Sequence, residues 1–252
     1  MAPSSLSQTA AQAGADDFLT QIYQEKERAS STSSLRTYET PLVTVDCVIF
    51  TVQQSRLKAL LIKRSSEPCI HQWALPGGFI QVGETLPEAA ARQLFDETGV
   101  SNVYLQQIRA FGSPDRDPRA RVITIGFFAL VSSNRLAPKT TETTEDVDWF
   151  CINELPELAF DHQKIIETAH TQLRDTLEET PIAFQLLPDM FTLTELQKVY
   201  ELIENKSLDK RNFRKKILQG GLLVETGQYK KEGRHRPASL YRFASGMPTE
   251  EA

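Results

Sequence analysis

One stretch, GGFIQVGETLPEAAARQLFDETGV at residues 77–100, constrains the fold of this chain more than any other part. Thr85 followed by Glu88 forms the pattern of a capping box, and Pro87 falls in the first helical turn, where its missing N–H costs little. The alanines and the leucine that follow favour a helix, and Gly99 provides a left-handed exit. The stretch therefore predicts a glycine turn that leads directly into a helix.

The middle of this helix carries three polar residues that share one face. Positions 93, 96 and 97 are spaced i, i+3 and i+4, so their side chains point to the same side. Three glutamates there would form a platform for Mg²⁺, which prefers carboxylate oxygens. Gln93 has no charge, and Asp96 is one methylene shorter than glutamate. We therefore expect Asp96 and Glu97 to bind metal weakly at most and predict no catalytic residues, while Glu84 pairs with Arg92 as a brace.

The segments around the helix contain residues suited to a nucleotide. Glycines let backbone amides approach phosphate oxygens closely, and arginines bind phosphates through paired N–H groups. The loop GSPDRDPRAR at residues 112–121 brings three arginines together, including Arg121. The aromatic residues of the set could stack on a base or ribose, although such residues are more often part of a core, and the loop arginines also fit a solvated surface. The residues predicted to bind the ligand are Arg64, Trp73, Gly77, Gly78, Phe79, Arg116 and Arg119.

Charge is distributed unevenly along the chain, whose net charge is −5. Residues 1–190 contain 16 Lys and Arg against 25 Asp and Glu, whereas residues 191–243 contain 12 against 6. A compact basic segment attached to an acidic body favours a polyanionic partner for that segment.

The basic segment has the element order of a winged helix-turn-helix. A helix over about residues 194–205 is followed by a second, which Asp209 caps and which ends near Gln219. LLVETG and SLYRF then form a hairpin with a long connection at residues 228–238. In this plan the second helix enters the major groove and the wing touches phosphates. The alternative is a dimerisation module whose charges face water. The predicted DNA-binding residues are Lys210, Arg211, Arg214, Lys215, Lys230, Lys231, Arg234, His235 and Arg236.

The remaining pattern divides the chain into three parts. Apolar runs predict strands at residues 42–50, 57–63, 122–131 and 147–152, and a further helix over about residues 160–178. Two prolines in ETPIAFQLLPDM separate the acidic and basic parts. We predict an N-terminal extension at 1–35, flexible or helical, a ligand-binding domain at 36–180, and a DNA-binding domain at 181–252.

Cysteine usage and hydropathy limit the cellular setting. The three cysteines form no CxxC pair, which argues against a zinc site or a disulfide framework. No apolar run approaches the roughly 18 residues of a membrane span, and the N-terminus lacks the pattern of a secretory signal. We therefore expect a cytoplasmic protein without a membrane partner.

The quoted stretch resembles the Nudix box, G-x5-E-x7-R-E-U-x-E-E-x-G-U, in which U is aliphatic. Seven of the nine fixed positions match, and Gln93 and Asp96 depart from the pattern. Together with FGSPDRDPR, LDKRNFRKKILQGGLL and GRHRPASLYRF, the box makes residues 40–243 resemble the Nudix-related transcriptional regulators (NrtR). The implied fold is α+β, a Nudix-like α/β/α sandwich with a mixed sheet, followed by a C-terminal winged helix-turn-helix.

The same resemblance implies a function. It predicts a homodimeric repressor of NAD metabolism genes that binds a double-stranded DNA operator and that ADP-ribose releases from it. A degenerate box suits this role, because a signal that is quickly hydrolysed is short-lived. No cofactor is expected to be required, and Mg²⁺ is the metal that the box would accept. The alternative is an active ADP-ribose pyrophosphatase whose tail serves assembly or localisation.

Overall fold

A computed structural model describes residues 40–99, 103–135, 144–231 and 237–244, without the side chains of residues 97, 98, 135, 178 and 179. The predicted N-terminal extension lies outside the described residues, as do Arg234, His235 and Arg236. Within the described ranges, no helix combines the length and hydropathy that a membrane crossing requires.

A seven-stranded mixed sheet forms the first part of the protein. Its strands are β1 (Leu42–Gln53), β2 (Arg56–Arg64), β3 (Trp73–Ala74), β4 (Gly77–Phe79), β5 (Tyr104–Phe111), β6 (Val122–Leu130) and β7 (Thr144–Cys151). β1 and β6 run parallel, with Leu42 opposite Val122 and Phe50 opposite Leu130. The other pairings are antiparallel: β1 pairs with β2 and β4, β2 with β3 and β7, and β5 with β6. The first two predicted strands are therefore present and form an antiparallel hairpin.

Side chains of β1 alternate between the two faces of the sheet, as the period of a strand requires. Cys47 and Ile49 face one hydrophobic cluster together with Ala90 and Leu94 of the box helix. Val48 and Phe50 face the other cluster, which continues into the C-terminal helices. Helices thus cover both faces, and the predicted α/β/α sandwich is confirmed.

The box helix, α1 (Leu86–Thr98), begins and ends as its sequence predicts. Thr85 Oγ1 accepts a hydrogen bond from the N–H of Glu88, and the carboxylate of Glu88 accepts one from the N–H of Thr85. Gly99 ends the helix in the left-handed region, at a φ of 69°. Both caps are local interactions, which is why sequence alone located them.

The second helix, α2 (His162–Glu179), lies on the opposite face of the sheet and begins two residues later than predicted. Phe160 causes this difference, since its φ of 55° is incompatible with a right-handed helix. Ile165, Ala169, Leu173 and Leu177 of α2 are buried in the cluster that continues into the C-terminal part.

The C-terminal part contains α3 (Leu193–Glu204), α4 (Lys210–Gln219), β8 (Leu223–Lys230) and β9 (Ala238–Phe243). Thr192 and Glu195 form a capping box on α3, and Asp209 caps α4 by accepting from Asn212 N–H. Phe191 exchanges two backbone hydrogen bonds with Tyr241, which adds a short third strand to the hairpin. The winged-helix architecture is confirmed, and the domain boundary near residue 181 stays a prediction.

The hairpin strands are longer than the sequence pattern indicated. β8 continues through Gln228, Tyr229 and Lys230, which had been expected in the connection, and β9 begins at Ala238. Gly227, at a φ of 73°, lies where the register shifts, and pairing resumes at Tyr229 opposite Ser239. A glycine bulge absorbs the irregularity, so the connection shortens to residues 231–237.

Candidate functional site

The glycine turn packs tightly against β1 and α1. A Cβ on Gly77 would come within 2.4 Å of Asp46 Oδ1 and 2.5 Å of the Val45 carbonyl oxygen. A Cβ on Gly78 would come within 2.3 Å of the Gln93 Nε2 atom. At Gly77 the neighbours include backbone atoms, so a side chain has no room there, whereas a side chain at Gly78 would have to displace the end of the Gln93 side chain.

A buried network of charged groups lies beside this turn. Arg116 donates two hydrogen bonds to Asp161, at 2.8 and 3.2 Å, and a third to Asp46 at 3.3 Å. The Arg116 side chain is only 4% exposed. The sequence predicted Arg116 as one of several loop arginines grouped for phosphate. The structure instead places its guanidinium between two carboxylates, because a buried charge requires partners.

His162 connects the network to the glycine turn. Its Nδ1 atom accepts a hydrogen bond of 2.8 Å from the Leu75 N–H, so the neutral ring carries its proton on Nε2. That atom lies 3.8 Å from Asp46 Oδ1. Burial lowers the pKa of His162 and outweighs the opposing effect of Asp46. The imidazole is therefore neutral at pH 7 and fixes the strand that enters the turn.

Phe160 is held in a strained conformation next to these groups. Its ring centroid lies 5.0 Å from the Arg64 guanidinium carbon and 5.3 Å from the His162 ring centroid. Arg64 also donates to the carbonyl oxygens of Pro68 and Ser66. A bulky residue at positive φ is rare and is maintained only where the surroundings impose it, which is typical of functional sites.

The brace predicted between Glu84 and Arg92 is present. Arg92 donates to both Glu84 carboxylate oxygens, at 3.0 and 2.7 Å, and also to the Phe79 carbonyl oxygen at 3.2 Å. Hydrogen bonding to Arg92 lowers the pKa of Glu84. The brace thus fixes the loop before α1 relative to β4, as the box spacing indicated.

The platform positions do not fit a divalent metal in the part of the site that the structure describes. The Gln93 carboxamide packs directly on Gly78, and the half-exposed Asp96 carboxylate lies 3.8 Å from Arg92 Nη1. Among the described side chains, which exclude that of Glu97, no three His, Cys, Asp or Glu are grouped to hold a metal. Of the platform side chains that the structure describes, that of Asp96 alone carries a carboxylate, the group that Mg²⁺ prefers, and the weak metal site stays a prediction.

The other predicted ligand residues are distributed around the turn. Arg119 lies with its guanidinium carbon 6.0 Å from the Phe79 ring centroid and donates to Asp117 at 2.9 Å. Arg121 donates to the Ser113 carbonyl oxygen. Each loop arginine therefore has a partner of its own within the protein, and the phosphate cluster stays a prediction. Burial raises the pKa of Asp117, but the hydrogen bonds from Arg119 lower it by more, so the net shift of this pKa is downward.

Trp73 packs in the core rather than beside the box. Its ring meets Phe150 edge-on, with 4.6 Å between the ring centroids, in the cluster on the α2 face of the sheet. The expectation that Trp73 stacks on a base is not supported by this placement, since core packing accounts for the residue.

Two concavities on the described surface lie elsewhere, along α2. One, of about 570 Å³, is lined by Arg109 and polar residues of α2 between 167 and 175. The other, of about 250 Å³, lies between residues 152–155 and α2. Neither lining contains a glycine of the turn or a box residue. The candidate pocket is therefore identified by the buried ionic groups beside the glycine turn and not by either of these two concavities.

The reader, which we define as residues 191–244, presents its basic residues on α4. Lys210, Arg211 and Lys215 are exposed, as is Lys216, which the sequence prediction omitted. Arg214 differs from them: it is only partly exposed, and its Nη2 lies 3.4 Å from Thr194 Oγ1 of α3. Phe213 and Ile217 pack in the hydrophobic cluster and form the inner face of α4. Arg214 therefore lies at the α3–α4 contact, and its role in DNA binding stays a prediction.

Lys230 and Lys231 occupy different positions in the wing. Lys230 is the last residue of β8, and its Nζ lies 2.7 Å from Glu195 Oε1 on α3. Burial raises the pKa of Glu195, but the hydrogen bonds from Lys230 and Thr192 lower it by more, so the net shift of this pKa is downward. Lys231 is exposed just beyond the strand. Lys230 therefore connects the wing to α3, whereas Lys231 faces solvent.

Family models match both parts of the chain. The NUDIX domain matches residues 40–169, and the NrtR DNA-binding winged helix domain matches residues 183–243. An "ADPR responsive transcriptional repressor NtrR" of Acinetobacter baylyi is 39% identical over 211 residues, which are 82% of this chain and 84% of that protein. This chain belongs to the NrtR family.

Two further relatives match different extents of this NrtR chain. The crystal structure of Shewanella oneidensis NrtR complexed with a 27mer DNA has a TM-score of 0.70 and 34% identity, covering 80% of this chain and 93% of that one. An ADP-ribose pyrophosphatase of Methanocaldococcus jannaschii is 42% identical over 132 residues, 52% of this chain and 75% of that protein. The similarity to the regulators therefore covers about four fifths of this chain, whereas that to the enzyme covers about half of it.

Sequence reasoning missed the residues that build the buried network. Asp46, Asp161 and His162 were not singled out, although two signals were available. Asp46 is an acidic residue inside the apolar strand LVTVDCVIF, and Asp161 with His162 stands where a helix begins. A charged residue in a buried strand requires a partner, which identifies it as a site candidate.

Proposed function

We propose that this NrtR chain is a DNA-binding repressor of NAD metabolism genes that ADP-ribose releases from its operator. The observation that carries the proposal is the union of a Nudix domain with an altered box and a winged helix with an exposed basic helix. Similarity to a repressor named for its ADPR response, and to an NrtR bound to DNA, supports both halves.

The pocket favours retention of the ligand over its hydrolysis. Efficient Nudix chemistry needs divalent metals to neutralise charge and activate water. Gln93 contributes no charge and packs on Gly78, while Asp96 lies near Arg92. We therefore infer that the protein binds the diphosphate without a required cofactor and does not turn it over efficiently.

The reader can contact DNA as a dimer. Exposed cations on α4 suit the major groove, and a two-fold pair of readers would have to be spaced about one helical turn, roughly 34 Å, apart. A homodimer is part of the proposal for this reason. The ligand would act by binding the DNA-competent arrangement less well than the other.

Binding and release are tested in one titration. A duplex selected from a random-sequence pool by the unliganded protein is labelled, and its binding is followed by fluorescence anisotropy with increasing ADP-ribose. We expect a lower affinity for the duplex at saturating ADP-ribose. Tight ADP-ribose binding without any change in DNA affinity would contradict release, and absence of duplex binding at low salt would contradict the repressor itself.

An active ADP-ribose pyrophosphatase is the second candidate. The identity of 42% to the Methanocaldococcus enzyme and the intact Glu84–Arg92 brace favour it. Incubation with ADP-ribose and Mg²⁺, with AMP as the readout, separates the two. Turnover of about 1 s⁻¹ or more would place the protein among ordinary enzymes. We expect turnover only in the variant Gln93→Glu/Asp96→Glu. If that variant gains no hydrolysis, Gln93 and Asp96 are not the reason why the native box is inactive.

A further inference from the structure

Helix α2 touches both the candidate pocket and the reader. Its N-cap residue, Asp161, binds Arg116, and its first residue, His162, binds the strand that enters the glycine turn. Eight residues further on, His170 contacts α3. At 1.5 Å per residue, His162 and His170 are separated by about 12 Å along the helix axis. One rigid element therefore spans the distance between the two sites.

The contact at the reader end is a hydrogen bond from a histidine to a helix terminus. His170 Nε2 lies 2.9 Å from the carbonyl oxygen of Ile203. Ile203 belongs to the last turn of α3, where carbonyl groups lack partners within the helix. A carbonyl oxygen only accepts, so His170 carries a proton on Nε2 and donates it. His170 thus caps the first helix of the reader from outside the reader.

Apolar packing surrounds this bond. Ala169 and Leu173 of α2 are fully buried in the same cluster as Leu196 and Ile203 of α3. Close-packed protein interiors transmit displacements instead of absorbing them. A shift of α2 would therefore be passed to α3, with the His170 bond fixing the relative position of the two helices.

The contact at the pocket end is made by a guanidinium, a group that binds anions. Arg116 binds Asp161 through two hydrogen bonds and Asp46 through one. A diphosphate bound beside the glycine turn would compete with these carboxylates for the guanidinium, and it would repel them. Either effect changes how the loop that carries Arg116 holds the start of α2.

We propose that α2 couples the two sites: occupancy of the pocket alters the Arg116–Asp161 contact, and His170 transfers the displacement to the reader through Ile203. His170 is a positioning residue in this scheme and touches neither ligand nor DNA. The inference rests on the proposed function, because it names the route by which ADP-ribose regulates DNA binding.

The decisive variant is His170→Phe, which keeps a ring but removes the donor. The quantity measured is the ratio of duplex dissociation constants with and without saturating ADP-ribose, for the full chain and the selected duplex. Coupling between sites typically amounts to about 5- to 150-fold, and we expect the native chain to fall in this range. For His170→Phe we expect a ratio near 1, with ADP-ribose affinity, measured by calorimetry without DNA, at the native level.

Gln172→Leu is the matched control. Gln172 also lies on α2 and donates to a backbone carbonyl oxygen at 3.1 Å, but its partner is Gln107 of β5 rather than a reader residue. This variant should keep the native ratio, and His170→Gln, which retains an N–H donor, should recover part of it. If Gln172→Leu also changes the ratio of duplex dissociation constants with and without ADP-ribose, the loss of coupling results from a less stable α2, and the specific role of His170 is refuted.

The outcomes separate the two levels of the argument. A native chain that binds both ligands with a ratio of 1 refutes the proposed function. A native chain that responds, together with a His170→Phe variant that responds equally, refutes only the coupling route. If His170→Phe does not fold, Asp161→Asn tests the other end of α2, and a full native ratio in that variant also refutes the route.

Discussion

Charged residues are used in opposite ways in the two halves of the protein. Beside the glycine turn, the buried Arg116 is paired with the buried Asp46 and with the partly buried Asp161. On α4, Lys210, Arg211 and Lys215 face solvent. Paired buried charges fix a geometry that can discriminate one small anion, whereas exposed cations keep their hydration until a long polyanion releases its counterions. The two halves should therefore respond differently to the same kind of mutation.

The largest effect is expected from Arg116→Met. Removing the guanidinium leaves the buried Asp46 carboxylate and the partly buried Asp161 carboxylate without their partner, which costs about 3–5 kcal/mol of unfolding free energy. Chemical denaturation measures the loss. Arg121→Met is the matched control in the same loop, because Arg121 donates an exposed hydrogen bond to the Ser113 carbonyl oxygen rather than to a buried carboxylate. Equal losses in the two variants would show that burial of Arg116 is not what matters.

The second effect belongs to the reader. Arg211→Ala/Lys215→Ala should leave the unfolding free energy nearly unchanged, because both side chains are exposed. Duplex binding should weaken, and the slope of log K against log salt should fall by about 2, one unit for each lost phosphate contact. Lys198→Ala, an exposed change on α3, serves as the control. An unaltered salt slope in the double variant would exclude α4 from the DNA interface.

Acidification should destabilise the α2 region before it affects the reader. Burial lowers the pKa of His162 and of His170 below the value in the unfolded chain. The unfolded state therefore binds protons first as pH falls below about 6.5, and stability declines by up to about 1.4 kcal/mol per pH unit for each histidine. Thermal unfolding between pH 7.5 and 5.5 measures the decline. The same series on His170→Gln should give a shallower slope, and an identical slope would contradict the assignment.

The smallest effect is expected at the wing. Lys230 and Glu195 are partly exposed, so their ion pair contributes at most about 1 kcal/mol. Lys230→Met should lower reader stability slightly while leaving the salt slope of DNA binding unchanged, since Lys230 binds α3. Lys231→Met should leave reader stability unchanged and should lower the salt slope of DNA binding. A reduced salt slope in Lys230→Met would make this lysine a phosphate contact, as the sequence alone suggested.

Local interactions were predictable and long-range ones were not. The Thr85–Glu88 capping box, the Gly99 exit, the Asp209 cap and the Glu84–Arg92 brace involve residues at most eight positions apart, and all four are present. Arg116 and Asp161 lie 45 positions apart, and Arg116 and Asp46 lie 70 apart. Residue type and spacing carry no information on such pairs, so the sequence grouped Arg116 with the other loop arginines as a phosphate ligand.

The sequence alone indicated the two architectures and their order, because the box that carries the resemblance and the element order of the basic segment are both patterns of neighbouring residues. It also determined that position 93 lacks a carboxylate. Only the tertiary structure decided which arginine is buried, that Trp73 belongs to the core, that Gly227 lengthens the wing strands, and that His170 reaches from one half to the other. Each of these depends on burial and on partners distant in sequence, which are fixed only once the sheet, α2 and α3 pack together.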